Sequence, residues 1–219
     1  HLTFSSSASL KKNSKRYGLD DSTLHVYDFK RPDTQIGDLL KKIDQGFFSC
    51  VIFNAFERLP EYKKFHDWDP LQASEYVQRQ NQGHFYLLHR ALPKMIEKKL
   101  GHLILISSVS STAGTNNYSP YCVAKAGLEA LFKNLAVEYG ADNINANIVR
   151  LGFFDTSRTN KVWSNERYRM KIERKIPSAR LGKAADVSPV VSMLLQENGY
   201  INGATLDVSG GLPLTNFTQ

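Results

Sequence analysis

Tyr121 and Lys125 stand four residues apart in YCVAK, and Ser108 precedes the tyrosine by thirteen positions. On a helix that four-residue interval puts a phenol and an ammonium on one face, a turn from each other. With a serine hydroxyl beside them, such a pair could move a proton at a carbonyl or carbinol oxygen in step with hydride transfer at the carbon. A phenol of pKa about 10 is a poor acid–base group near neutrality, and a cation within roughly 4–6 Å lowers that value by roughly 1–3 units. In this reading Tyr121 is the general acid–base, Lys125 the cation and Ser108 the donor to the substrate oxygen. The Tyr-x-x-x-Lys spacing alone is unspecific, because a tyrosine and a lysine on an ordinary surface helix would show it too. The surrounding elements carry the argument.

The apolar run Leu103 to Ile106, closed by Ser107 and Ser108, is short enough for a strand buried on both faces. Open α/β sheets bind ligands beyond the carboxyl ends of their strands, which is where Ser108 would stand. After a Gly/Thr/Asn loop, Val123, Leu128, Leu131, Leu135 and Val137 among good helix formers predict a helix ending near Gly140. Asn145 to Val149 then reads as a strand, before Leu151 and Gly152. Upstream, HLTF reads as the end of a strand, residues 22–29 as a strand, Ile36, Leu39, Leu40 and Ile43 as one face of a helix, and Cys50 to Asn54 as a buried strand. A long helix is expected from Leu71 to Lys99, with Tyr76, Phe85, Leu88, Leu92 and Ile96 as its apolar surface. Downstream come a polar, basic segment over 157–180 with no clear core pattern, a helix starting at Asp186, a last strand over Ala204 to Val208, and the turn Ser209-Gly210-Gly211.

This order of features, with the ending ARLGKAADVSPVVSMLLQENGYINGATLDVSGG, resembles the short-chain dehydrogenase/reductases from about Leu24 to Gly211. The resemblance implies an α/β fold: a Rossmann-like, doubly wound parallel sheet with helices on both faces, in one domain over 1–219, with 157–180 as a substrate lid. It implies catalytic roles for Ser108, Tyr121 and Lys125. It also implies cofactor contacts from Tyr121 and Lys125, from Asp28 and Phe29 at the adenine, from Asn54 and Ala55, and from Gly152, Phe154 and Thr156 towards the nicotinamide. Counting 28 residues back from Ser108 gives Gln80 where the family carries a proton-relay asparagine. Glutamine keeps the amide but adds a methylene.

The chain departs from the family in places. Phe56 replaces a turn glycine and would bulk out the floor near the cofactor ribose; Leu151 replaces a proline. The family's opening strand and glycine-rich turn have no counterpart, so the sequence is expected to be a truncated form of a longer polypeptide, lacking the first βα unit. At the end of the second strand stand Ser5 and its neighbours, with Lys11 and Lys12 close by, rather than an acidic residue that would repel a 2′-phosphate. NADP(H) is therefore favoured over NAD(H). The expected reaction is interconversion of a ketone and a secondary alcohol, with a 3-oxoacyl thioester as first choice of substrate. The basic lid, carrying Arg158, Lys161, Arg167, Arg169, Lys171, Arg174 and Lys175, could meet coenzyme A, a phosphopantetheine phosphate or an acyl carrier protein. By resemblance, the long helix and the Tyr121 helix pack against a second subunit in a homodimer or homotetramer. The alternative is a non-catalytic nucleotide-sensing or regulatory relative, motivated by Phe56, Leu151, Gln80 and the missing segment. An enoyl reductase is a third option, against which the serine-to-tyrosine interval argues.

Composition narrows the classes further. At 219 residues, 42% hydrophobic and 22% charged, the chain suits one globular domain with a sizeable core. No stretch approaches the roughly 18 apolar residues of a membrane span and no signal-peptide pattern opens the chain, so a cytoplasmic protein is expected. Cys50 and Cys122 have neither metal-ligand nor disulfide spacing and read as buried filler. The six histidines are scattered, with no metal pair, and read as surface or packed residues. The net charge of +7 is dispersed and no nucleic-acid-binding motif appears, which argues against a nucleic-acid partner.

Overall fold

A computed structural model describes residues 2–4, 24–26, 46–156, 159–196 and 199–212. Ser5, Lys11, Lys12, Asp28, Phe29, Arg158 and the expected helix around Ile36 lie outside the described residues. Two short strands, β1 (Leu2–Phe4) and β2 (Leu24–Val26), pair in parallel, Leu2 opposite Leu24. Among the described residues the main sheet has four parallel strands in the order β3 (Cys50–Phe53), β4 (Gly101–Ser108), β5 (Ile144–Leu151) and β6 (Thr205–Val208). Its register sets Phe53 opposite Leu105, Ser108 opposite Leu151 and Leu151 opposite Val208. All four strands therefore end along one edge, the ligand-binding edge of an open α/β sheet.

Both faces of β4 are covered, which is why its sequence is a continuous apolar run rather than an alternation. On one face Leu103, Leu105, Ile144, Ala146 and Ile148 pack against α1 (Pro70–Lys98) and α3 (Ser119–Tyr139) through Tyr76, Leu88, Met95, Leu128 and Phe132. On the other, Ile104, Ile106 and Val149 meet Leu194 of α6 (Ala184–Leu194). Asp69 caps α1 by accepting from the Gln72 N–H at 2.9 Å, with Pro70 opening the first turn. A single turn, α2 (Ser110–Ala113), follows β4 and is broken at Gly114, whose φ of 68° suits glycine.

The inward faces differ in detail from the expected ones. Phe85 is exposed, and Tyr76, Gln80, His84 and Met95 are among the residues that α1 buries. On α3, Val123 and Val137 are exposed whereas Lys125, Glu129 and Phe132 are buried. Helix α6 starts at Ala184, two residues before Asp186, because the Asp186 carboxylate reaches back to accept from the Lys183 N–H at 2.7 Å and caps the first turn. The segment after β5 is not coreless: α4 (Asn160–Trp163) and α5 (Glu166–Glu173) enclose their own cluster of Trp163, Ile172, Ile176 and Leu181. Cys50 and Cys122 are free and half-buried. Among the described residues no helix is long and apolar enough to cross a membrane, and no group of three metal-ligating side chains occurs.

His84 is buried on the face of α1 turned to β3, stacked on Phe53 at 5.5 Å between ring centroids. Burial above all, and then the Lys125 ammonium, lower its pKa to about 4, against the opposing pull of the Gln80 carbonyl at 2.6 Å. The unfolded chain, with a histidine pKa near 6.5, takes up this proton first as pH falls. His84 therefore adds stability that is complete above about pH 6.5 and is lost towards pH 4, a contribution on the order of 3 kcal/mol. Replacing His84 by Phe should flatten the decline of the denaturation midpoint between about pH 6.5 and 4.5; an unchanged slope would show that this histidine is not its source.

Candidate active site

Strand β4 delivers Ser108 to the carboxyl edge of the sheet, and α3 begins with Ser119 and Pro120, so that Tyr121 lies in its first turn and Lys125 in the next. The helix is pinned to the strand by Lys125 itself. Its side chain is only 4% exposed, and Nζ donates to the Ile106 carbonyl at 2.8 Å, two residues before Ser108. The Ser108 hydroxyl accepts from the Ser110 N–H at 3.2 Å, while the Ser111 hydroxyl reaches the Ser108 carbonyl at 2.7 Å. Half-buried Ser108 is thus placed by the turn that follows it.

Phe56 stands against the pair. Beyond the end of β3, its buried ring lies with its centroid 3.9 Å from Lys125 Nζ and meets Tyr121 edge-on at 5.3 Å. The ring quadrupole attracts the ammonium, and the aromatic body seals that side of the site from water. Tyr118 meets Tyr121 edge-on at 5.9 Å and packs against Tyr62 at 4.9 Å. Burial, with the Tyr62 phenol next, pushes Tyr118 up to about 12, which makes it a poor acid–base group near neutrality.

Gln80 is fully buried, and its amide is committed to Glu57: Oε1 accepts from the Glu57 N–H at 2.8 Å and Nε2 donates to Glu57 Oε2 at 3.0 Å. Its carbonyl takes the Nδ1–H of His84, so the neutral imidazole carries its proton on Nδ1. Asn54 is exposed and Ala55 half-buried immediately after β3. Gly152 follows β5 where a Cβ would lie 2.9 Å from the Ser209 Cα; no larger residue fits between the ends of β5 and β6 without a shift. The Phe154 ring is buried against Gly182, and its carbonyl accepts from Trp163 Nε1 at 2.9 Å and Thr159 Oγ1 at 2.8 Å. Exposed Thr156 pairs with Thr159 through both its N–H, at 2.9 Å, and its hydroxyl, at 3.0 Å.

Phe56 thus touches both Tyr121 and Lys125, and Lys125 is bound to the strand that carries Ser108 through the Ile106 carbonyl. The sequence reading missed two groups. His84 follows Gln80 by one helical turn, and Glu129 follows Lys125 by one; polar residues at four-residue intervals within an otherwise apolar inward face were the available signal. The buried Glu129 carboxylate holds Arg150 of β5 through Nη2 at 2.6 Å and Nε at 3.0 Å. Burial works to raise its pKa, but hydrogen bonds from Arg150, Ser107 and Ser111 outweigh that and hold the carboxyl below its ordinary value.

A buried ammonium, a phenol and a serine hydroxyl on the carboxyl edge of a parallel sheet form a donor set suited to the hydroxyls of a ribose and to a carbonyl oxygen. Comparison with known proteins gives the family. Residues 31–213 match the family model described as Enoyl-(Acyl carrier protein) reductase. Over 131 residues, 59% of this chain and 54% of the relative, it is 39% identical to a 3-oxoacyl-[acyl-carrier-protein] reductase of Rickettsia prowazekii. The chain thus spans about half the length of that curated relative. An oxidoreductase of the short chain dehydrogenase/reductase family from Burkholderia thailandensis superposes with a TM-score of 0.82 at 21% identity, over 96% of this chain and 81% of that one. A gluconate 5-dehydrogenase from Burkholderia cenocepacia, solved with NADP and tartrate, gives 0.81 at 20% identity, over 96% and 84%. By the family match, its extent and the shared parallel-sheet fold, the chain belongs to the short-chain dehydrogenase/reductase family.

Proposed function

We propose that this protein is an NADP(H)-dependent ketoreductase that interconverts a ketone and a secondary alcohol, with a 3-oxoacyl thioester as the substrate class. The single observation that carries the reading is the tie from buried Lys125 to the β4 carbonyl preceding Ser108, which brings the helix bearing Tyr121 onto the strand bearing Ser108. Tyr121 gives its phenolic proton to the substrate carbonyl oxygen in reduction, and Ser108 holds that oxygen by a hydrogen bond. Lys125 provides the adjacent positive charge and binds a ribose hydroxyl of the cofactor, held in place by its bond to the Ile106 carbonyl. Asn54, Ala55, Gly152, Phe154 and Thr156 line the cofactor path, the last two through a backbone already braced by Thr159. Ser5, Asp28 and Phe29 belong to its adenosine end. When bound, the nicotinamide supplies the hydride.

The thioester preference draws support from two directions. The Rickettsia relative is named as a 3-oxoacyl-[acyl-carrier-protein] reductase, and Arg167 and Lys171 on α5, with Arg174 just past its end, are exposed basic residues. Such residues suit a phosphate-bearing carrier arm or an acidic carrier protein. The NADP in the Burkholderia cenocepacia dehydrogenase is consistent with the cofactor preference. A homodimer or homotetramer in the cytoplasm completes the reading, in which residues 1–219 form a single domain and 157–180 its lid.

Phe56 favours a second reading. Its ring against Lys125 Nζ covers one side of the cation that the cofactor would address, as in a relative that keeps the fold without turnover.

Two experiments separate these readings. Tyr121→Phe removes only the hydroxyl and should lower kcat for NADPH-dependent reduction of acetoacetyl-coenzyme A by about 10²–10⁴-fold with the melting temperature retained. Turnover at the wild-type rate would remove Tyr121 from the proton transfer. Phe56→Ala should cost about 3–5 kcal/mol of stability, while saturable NADPH binding, followed by fluorescence, persists in both wild type and variant. Binding confined to the variant would carry a regulatory relative whose cofactor site the Phe56 ring closes, and NADPH binding by the wild type without turnover would carry a nucleotide-sensing one.

A further inference from the structure

Glu129 lies one turn beyond Lys125 on the buried face of α3, with 3% exposure. Its Oε1 accepts from the Ser107 hydroxyl at 2.5 Å, the Ser111 hydroxyl at 2.5 Å and Arg150 Nε at 3.0 Å. Its Oε2 accepts from Arg150 Nη2 at 2.6 Å. Arg150 in turn extends towards Asp207 of β6, 3.8 Å away. One carboxylate therefore joins α3, the end of β4, the turn of α2 and strand β5, the elements that carry or flank Ser108, Tyr121, Lys125 and Gly152. Ser111 is the hinge of this arrangement, because its hydroxyl lies within reach of both Glu129 and the Ser108 carbonyl and its one hydrogen serves the two acceptors between them.

Stability alone does not call for an ion pair here, since well-packed apolar residues of similar volume are often as stabilising. A charged acceptor does offer direction: it gathers Ser107, Ser111 and Arg150 at one point and so fixes the turn whose Ser110 N–H holds the Ser108 hydroxyl. We propose that Glu129, braced by Arg150, is a positioning residue for Ser108, acting through Ser107 and Ser111 to aim the Ser108 hydroxyl at the substrate oxygen. The proposal rests on the reading of Ser108 as the ligand of that oxygen. Removing the charge loosens the turn, so that the hydroxyl is present but misdirected, and the loss falls on kcat rather than on cofactor binding.

The test is a double-mutant cycle in the full-length protein, with NADPH and acetoacetyl-coenzyme A as the assay pair, over Glu129→Gln, Ser111→Ala, Ser108→Ala and the doubles of the first two with the third. Glu129→Gln and Ser111→Ala should each lower kcat by about tenfold, with the KM for NADPH within about twofold, and should add less than about twofold in the Ser108→Ala background. Hydrogen exchange read by mass spectrometry should, without cofactor or substrate, quicken by about tenfold in the peptide spanning 108–114 in both single variants. A Glu129→Gln effect of equal factor with and without the Ser108 hydroxyl, or unchanged exchange over 108–114, overturns the proposal. If Ser108→Ala alone leaves kcat unchanged, the reading of Ser108 fails first and this proposal falls with it. Should Glu129→Gln fail to fold, the Ser111 and Ser108 arm decides by the same criteria, since Ser111 is only half-buried in a one-turn helix.

Discussion

The hydrogen bond from Lys125 Nζ to the Ile106 carbonyl is the contact on which the site depends. An ammonium with 4% exposure is costly to bury unless it is hydrogen-bonded or paired. Here a backbone carbonyl of the central strand and the face of Phe56 share that task, the latter worth about 0.5–2 kcal/mol. The carbonyl belongs to a strand hydrogen-bonded on both sides, to β3 and β5, and covered on both faces. A helix attached there cannot slide without breaking a buried bond, so the first turn of α3 and the end of β4 keep a fixed relation. Four residues further along α3, Glu129 repeats the attachment through the Ser107 hydroxyl.

Phe56 reshapes the neighbourhood of that bond. At a position where a turn glycine is expected it adds a ring to a cluster drawn from three elements, Phe53 and Phe56 around β3, Tyr76 and His84 on α1, and Tyr121 on α3. The dry cluster keeps His84 neutral, and the Lys125 ammonium nearby reinforces that, because two cations in one apolar pocket would repel. Gln80 belongs to the same neighbourhood: its amide is held by Glu57, the residue after Phe56.

Much of this was legible in the sequence. The continuous apolar run of β4 read correctly because a parallel strand covered on both faces leaves no alternation to misread. The four-residue interval of Tyr121 and Lys125 placed both on the helix that begins at Ser119. Three things were not legible, each for a physical reason. Val123 and Val137 helped to mark the helix as apolar but are exposed, while Lys125 and Glu129 are buried, because side-chain type does not reveal which face a helix turns inward when a strand carbonyl and an arginine wait to receive its charges. The basic segment after β5 hides Trp163, Ile172 and Ile176, which cluster with Leu181 just beyond it; they come from separate short elements, so no single helical period runs through them. Finally, Asp186 read as a helix start, with Pro189 early and an apolar run behind it; its carboxylate lies inside the first turn and reaches back to accept from the Lys183 N–H, so the element begins at Ala184.

The most direct measurement is isotopic: incubate the full-length protein with acetoacetyl-coenzyme A and NADPH deuterated at its hydride-donating carbon, and weigh the product by mass spectrometry. The account predicts one deuterium at the new carbinol carbon of the 3-hydroxyacyl product. Bound, saturating NADPH with no label in any alcohol product would contradict it.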